Sequence, residues 1–380
     1  MAATAPPAAG AAPAAPAPSS AAPTGDFHPD AKAFPVPSQQ TRASSLFAFA
    51  DPITKPISRT MASLQEHRAK LGLPNPGTIE NLTREVKSTH LTNFIFDGAR
   101  ADLTKSVSIN PIFQITHAFA HGAQGAPPSY NFGAIYGDDK AFLQGSFDDG
   151  MNVMMRANRG WMPGHVSKFQ GQLAGAGGQS FGQFEHDYQG LDHSLNIKAI
   201  NPSPTDGTGI YQFGYLQSLT RNFALGLETI WMRQSVDSNE ATTGYVAKWT
   251  SDERDAIASL QVQGSGVAQA TYWQRLAEKV DAAVDLQCIT AGGRREAQAT
   301  IGAKWDFRMS TLRAQVDSGG KVSSLLETRL APTFAFTVGG EIDHVKSAAK
   351  FGVGINIESA GEGIPMDPTA PQPTPPSVPM

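Results

Sequence analysis

The sequence predicts an all-β membrane protein, a transmembrane β-barrel of nineteen strands. Three observations carry this. The last structured stretch, Lys350-Phe351-Gly352-Val353-Gly354-Ile355-Asn356-Ile357-Glu358, sets Phe351, Val353, Ile355 and Ile357 against Lys350, Gly352, Gly354, Asn356 and Glu358. A strand there has one wholly apolar face and one polar or small face. The same alternation recurs from residue 94 onward at about fourteen residues per strand and turn, enough for the tilted strands of about 9–11 residues that cross a bilayer and more than the about 5–6 usual in soluble sheets. Several of the polar faces carry two or more charges, costly in a soluble core but natural on the wall of a water-filled lumen.

Composition agrees. The chain has 380 residues, 40% hydrophobic and only 17% charged, with 37 glycines; low charge with abundant glycine suits a barrel better than a helical enzyme. A net charge of −4 leaves no electrostatic footprint for nucleic acid. Cys288 has no second cysteine to pair with, which excludes an intrachain disulfide scaffold. No apolar run approaches the length of a membrane-spanning helix. The N-terminus lacks the charged region and apolar core of a secretory signal, so a barrel of this kind is expected to be made in the cytosol and delivered to an organelle.

In chain order, residues 1–57 are rich in Ala and Pro and are expected to be disordered. Residues 58–93 read as helical. In 58–72, Met61, Leu64 and Leu71 fall near one face, and Pro74 and Pro76 end the run; in 79–91, Ile79, Leu82 and Val86 fall together. These runs are either surface helices or a lining inside the barrel. Strands are expected near 94–106, 112–122, 129–138, 141–149, 152–161, 165–175, 179–189, 192–200, 208–219, 223–234, 242–251, 255–264, 267–277, 280–290, 296–308, 310–318, 321–331, 333–343 and 350–358, so that the barrel occupies 94–358. Tight turns such as Asp148-Asp149-Gly150 and Ser318-Gly319-Gly320 separate them. Residues 359–380 are a Pro-rich tail, expected to be disordered. Alternation is clearest in 280–288 and 333–343, and both faces mix in 141–149 and 152–161. Trp161, Trp231, Trp249, Trp273 and Trp305 lie near strand ends, compatible with interfacial girdles.

Local motifs point away from catalysis. His117 and His121 are roughly 13 Å apart on a strand, too far to share an ion, and read as solvated or lumen histidines. Gly175-Ala176-Gly177-Gly178 lacks the Lys-Ser/Thr of a phosphate loop, and Gly352-Val353-Gly354 lacks a third glycine and a following helix. Cys288 reads as a small hydrophobe on the apolar face. No nucleophile–base pair stands out, so no enzyme, metal or cofactor is expected. The alternation instead assigns Asp102, Glu185, Asp187, Glu228, Asp281, Asp285, Asp306, Asp317, Glu327, Glu341 and Asp343 to the inner wall, with Arg100, Lys198, Lys304, Arg308, Arg313 and Arg329 among them. Such a wall is mixed but leans acidic, attracting basic peptides and favouring cations.

The segment Asn75-Pro76-Gly77-Thr78-Ile79-Glu80-Asn81-Leu82, followed by Phe96-Asp97-Gly98-Ala99-Arg100-Ala101-Asp102-Leu103-Thr104-Lys105, resembles the opening of the channel-forming subunit of the mitochondrial outer-membrane protein translocase, the TOM complex, within the mitochondrial porin superfamily. Ala199-Ile200-Asn201-Pro202, Leu225-Gly226-Leu227-Glu228, Phe307-Arg308-Met309-Ser310-Thr311-Leu312-Arg313-Ala314 and Glu341-Ile342-Asp343-His344 extend the resemblance over about 75–358. Lys350, Gly352, Ile355 and Ile357 fit that family's C-terminal sorting signal. The resemblance implies a nineteen-stranded barrel whose first and last strands pair in parallel. It also implies a short N-terminal helix inside the pore, here at about 58–72, and both termini in the intermembrane space. It implies a channel for unfolded precursor proteins with basic presequences. The expected partners are a central receptor, small single-span subunits, a paired barrel and membrane lipid, with no nucleic acid. The alternative of the same fold is a metabolite or ion porin, whose lumen would be net basic if it selected anionic metabolites. A soluble β-rich binding module is the third reading.

Overall fold

In the computed structural model, residue 68 and residues 71–360 are described, except 123–126, 176–177, 236 and 292. Nineteen strands form one sheet: β1 Gly98–Ile109, β2 Ile112–His121, β3 Ser129–Gly137, β4 Ala141–Asp148, β5 Val153–Met162, β6 His165–Leu173, β7 Phe181–Gln189, β8 His193–Ile200, β9 Gly209–Ser218, β10 Phe223–Arg233, β11 Asn239–Thr250, β12 Ala256–Gln263, β13 Val267–Ala277, β14 Val280–Ala291, β15 Arg294–Asp306, β16 Ser310–Asp317, β17 Lys321–Ala331, β18 Phe334–Asp343 and β19 Ala348–Ala360. Each strand pairs antiparallel with the next, and β1 pairs parallel with β19, from Gly98↔Gly352 to Ser106↔Ala360. The sheet therefore closes and leaves no unpaired edge, the condition for a strand-built span in lipid.

Alternation sorts the two faces. Leu103, Phe119, Leu143, Phe184, Phe213, Leu227, Leu260, Ile301, Leu326 and Phe351 all stand exposed, and the pairing register puts them on one continuous side. So large an exposed apolar band marks the lipid-facing exterior. The register that was open in the sequence is settled by pairing. Leu143 and Phe147 face out with Val153 and Met155, while Phe142 and Met154 face in. β4 thus contributes one aromatic ring, Phe142, to the lumen.

The interior carries a short helical element. A 3₁₀ turn, Glu80–Thr83, leads into helix α1, Arg84–Thr89, whose buried Leu82 and Val86 point at the wall. The described chain begins at Arg68, which reaches Asp192 in the β7–β8 turn and the carbonyl of Ser218 at the end of β9. From that rim the segment runs inside the barrel to Gly98, and we call it the strap. β19 ends at the same rim, since Ala360 lies beside Ser106 near the end of β1. Both ends of the described chain therefore lie at one mouth.

Four expectations need correction. Trp273 does not join a girdle: it faces inward, 5% exposed, and packs on Val86. His117 and His121 do not line the lumen but face outward with Phe119, because their partners Leu103 and Ala99 belong to the exterior face; His117 bonds the Tyr130 hydroxyl at 2.8 Å. Arg308 lies in the β15–β16 turn and not on the inner wall, because β15 ends at Asp306. Phe94 to Phe96 are not strand. Phe94 lies under the Arg313 guanidinium at 4.4 Å, and Phe96 lies against the glycines of β19. These contacts hold that stretch in the strap.

Candidate functional site

The lumen is the site, and the strap divides it. Its contacts advance around the inner wall almost in strand order. Ser194 and Lys248 donate to the carbonyls of Gly77 and Pro76 at 2.6 and 2.8 Å, and Ser218 donates to that of Pro74 at 2.7 Å. Ile79 and Leu82 pack with Leu216, Ala224 and Val246 of β9–β11. Val86 packs with Ile257, Trp273 and Ala283 of β12–β14. His90 meets the carbonyl of Ala283, and the Leu91 amide donates to Gln315 of β16 at 2.7 Å. Burying these apolar groups stabilises the docked strap by about 1.5–3 kcal/mol for each large side chain.

Glycines on the inner wall mark where the strap comes close. A Cβ on Gly214 would lie 2.8 Å from Ile79, and one on Gly302 would lie 2.6 Å from the His90 ring. One on Gly352 would lie 2.4 Å from the Phe96 carbonyl oxygen. Gly352 belongs to the stretch that resembles the sorting signal, so in the finished barrel it is also the notch that admits Phe96.

A charge network fastens the strap at its 3₁₀ turn. Lys168 Nζ of β6 lies 2.8 Å from Glu80, 3.3 Å from Glu185 and 2.8 Å from Asp187. Lys198 Nζ lies 3.3 Å from Glu185, and Asn196 donates to both Glu185 and Asp187, at 2.8 and 2.5 Å. Glu185 and Asp187 are buried. Burial alone would raise the Glu80 carboxyl, but the ammonium groups of Lys168 and Lys198 outweigh it and hold it at about 2. Three carboxylates here come within ligating distance of one another, yet the Lys168 ammonium already stands among them and supplies the cation. At the mouth, burial raises Asp192 but the hydrogen bonds from Arg68 and His193 lower it further, leaving it below its usual value.

The register puts all the acidic residues singled out from the sequence on the inner face, but in different surroundings. Glu185 and Asp187 are engaged with the strap network, and Glu228 is buried between the side-chain amides of Gln212 and Gln261. Asp102 pairs with Arg100 at 2.7 Å, Asp281 with Arg275 at 3.6 Å, and Asp306 with Lys304 at 2.6 Å. Asp285 accepts from Gln269, Asp317 from Gln298, and Glu341 from Ser323. Asp343 accepts from the amides of Val345 and Lys346. Glu327 sits across from Thr311. Lys198, Lys304, Arg100, Arg313 and Arg329 face in as well. Sequence reasoning passed over Lys168 and Lys248. Their even positions on alternating strands were the available signal. Of the residues expected on a pore helix, Met61 and Leu64 lie outside the described residues, and Leu71 is exposed. The described helical turn on the wall belongs to the 79–91 run.

A closed barrel with an apolar exterior and a charged, strap-lined interior defines a membrane pore protein of the porin type. A family model described as eukaryotic porin matches residues 75–352. The chain is 42% identical over 316 residues to the mitochondrial import receptor subunit tom40 of Neurospora crassa, covering 80% of this chain and 89% of that one. It is 37% identical over 347 residues to TOM40 of Saccharomyces cerevisiae, covering 86% and 89%. It is 30% identical over 321 residues to the probable import receptor subunit TOM40-2 of Arabidopsis thaliana, covering 81% and 98%. The chain belongs to the eukaryotic porin family, in its Tom40 group.

Proposed function

We propose that this chain is the protein-conducting channel of a mitochondrial outer-membrane import complex, passing unfolded precursor proteins across that membrane. The observation that carries this is the closed nineteen-stranded barrel with an acid-leaning inner wall, in a chain similar over most of its length to import receptor subunits. No covalent step is involved. The barrel supplies a wet path through lipid, and wall carboxylates give basic presequences weak contacts that exchange readily.

The two groups of carboxylates divide the labour. Glu185, Asp187 and Glu228 fasten and line the strap. Asp102, Asp281, Asp285, Asp306, Asp317, Glu327, Glu341 and Asp343, on β14–β18 and β1, contact presequences. The mouth where Arg68 and Ala360 lie faces the intermembrane space. A central receptor, small single-span subunits and a second barrel assemble around the exterior.

Planar-bilayer conductance of the purified chain, with and without a basic amphipathic presequence peptide, tests the reading. Large cation-preferring steps, blocked by the peptide in a voltage-dependent way, are expected. Anion-preferring steps indifferent to the peptide would replace it with a metabolite porin.

A further inference from the structure

The connection from β8 to β9, residues 201–208, is the longest between strands among those whose residues are all described, and it stands at the mouth opposite Arg68. Its base is fixed. The Asn201 amide donates to the carbonyl of Gly182 at 2.7 Å, and Asn201 Oδ1 accepts from the Gly182 amide at 2.7 Å. Its tip is open to solvent, with Pro204, Thr205 and Asp206 exposed. Two backbone bonds shape that tip: Ser203 N to the Thr208 carbonyl at 2.8 Å and Gly207 N to the Ser203 carbonyl at 3.0 Å. Ser203 Oγ lies 3.0 Å from Thr205 Oγ1, its one polar partner among the described residues. Ser203 is followed by Pro204, and no other Ser or Thr within residues 71–360 precedes a proline. A residue before proline is held extended, the conformation in which a kinase groove takes its substrate.

Arg233 ends β10, across from Gly209. Its guanidinium lies against the loop, since a Cβ on Gly207 would sit 3.3 Å from Nη1. The Arg233 Nε is buried and unpartnered, and among the described residues the group makes no hydrogen bond or ion pair, even with Asp206 on the same loop. Leaving a half-buried charge without a partner is costly. Phosphate oxygens are the natural complement of a guanidinium.

We propose that Ser203 is phosphorylated by a proline-directed serine/threonine kinase and that Arg233 receives the phosphate. Ser203 Oγ attacks the γ-phosphorus of ATP: the Oγ–P bond forms, the bond to the β–γ bridging oxygen breaks, ADP leaves, and the hydroxyl proton passes to the kinase's carboxylate base. The modification adds about −1.5 to −2 of charge, which pairs with Arg233 and draws the loop onto the rim. Access for a cytosolic kinase rests on the orientation given under Proposed function; the site itself does not.

The purified full-length chain in lipid nanodiscs, incubated with ATP and a purified cyclin-dependent kinase, is digested and the phosphate located by mass spectrometry. Phosphate on Ser203 is expected in the wild type and in Thr205→Ala. Ser203→Ala and Pro204→Ala are expected to lose it from that peptide. An unmodified Ser203 in the folded wild-type barrel would overturn the proposal. Hydrogen exchange at the Gly207 amide, compared with and without the phosphate, reads the pairing. Exchange should slow about tenfold in the wild type, the scale of one hydrogen bond to a charged group, and stay unchanged in Arg233→Gln. Equal slowing in both would overturn the role of Arg233. The same kinase and ATP applied to outer membranes of intact mitochondria separate this site from the import reading: phosphate appearing only after solubilisation would uphold the site and reverse the orientation of the barrel.

Discussion

Replacing Lys168 by Met tests the strap directly. The ammonium lies within 3.3 Å of Glu80, Glu185 and Asp187, and Glu185 and Asp187 are 5% and 1% exposed. Removing one partner from a buried ionic network leaves uncompensated charge and costs about 3–5 kcal/mol. Lys198 and Asn196 remain, so the lower figure applies, about 3 kcal/mol or more than a hundredfold in the docking equilibrium. The strands keep their own ladders, so the barrel should persist while the strap detaches. Hydrogen exchange of the α1 amides reads this, including the bond from His90 N to the Val86 carbonyl at 2.9 Å. Protection there should fall while protection in β13 and β14 stays. A second substitution that also removes an acid, Asp187→Leu, should restore part of it. Unchanged α1 protection in a folded Lys168→Met barrel would refute the charge network as the fastening and leave the apolar clusters to hold the strap alone.

Other outcomes follow from the same geometry. Gly354→Ala would bring a Cβ within 3.1 Å of the Phe96 ring; crowding of this kind costs about 1–3 kcal/mol, so assembly should slow, and Phe96→Leu should relieve it. Gly352→Ala meets the Phe96 carbonyl as well, so Ile355→Gln, on the outer face, is the cleaner test of the sorting signal; normal membrane insertion of that variant would argue against the signal. The depressed Glu80 carboxyl stabilises the docked strap fully above its unfolded value near 4.5, and that contribution is lost as pH falls toward about 2. Strap exchange should therefore rise as pH falls from about 4.5 toward about 2; exchange unchanged across that range would contradict the assignment. Neutralising Asp317, Glu327 and Glu341 together should weaken presequence block about tenfold at low salt and less at high salt. Block that is unchanged would move presequence contact elsewhere on the wall.

Much of the barrel was legible because strand alternation is a local property. Phe334, Phe336 and Val338 against Thr337, Glu341 and Asp343 settle which face meets lipid without knowledge of any neighbour. A run such as Met154-Met155-Arg156 in β5 gives no such answer, and only hydrogen-bonding to Gly145 and Ser146 fixed its register. The inner position of Trp273 was illegible for the same reason: its ring fits a girdle as well as a core, and Val86, far away in sequence, decided the matter.

The sequence by itself determined the strand number, the two-faced wall and the inward set of carboxylates, because a period of two needs no long-range information. Tertiary structure alone decided what those carboxylates do. Whether an acid is open to the lumen or locked by a lysine depends on where the strap lies, and that depends on contacts between residues more than a hundred positions apart, such as Arg68 with Asp192 and His90 with Ala283. Such contacts leave no periodic trace along the chain.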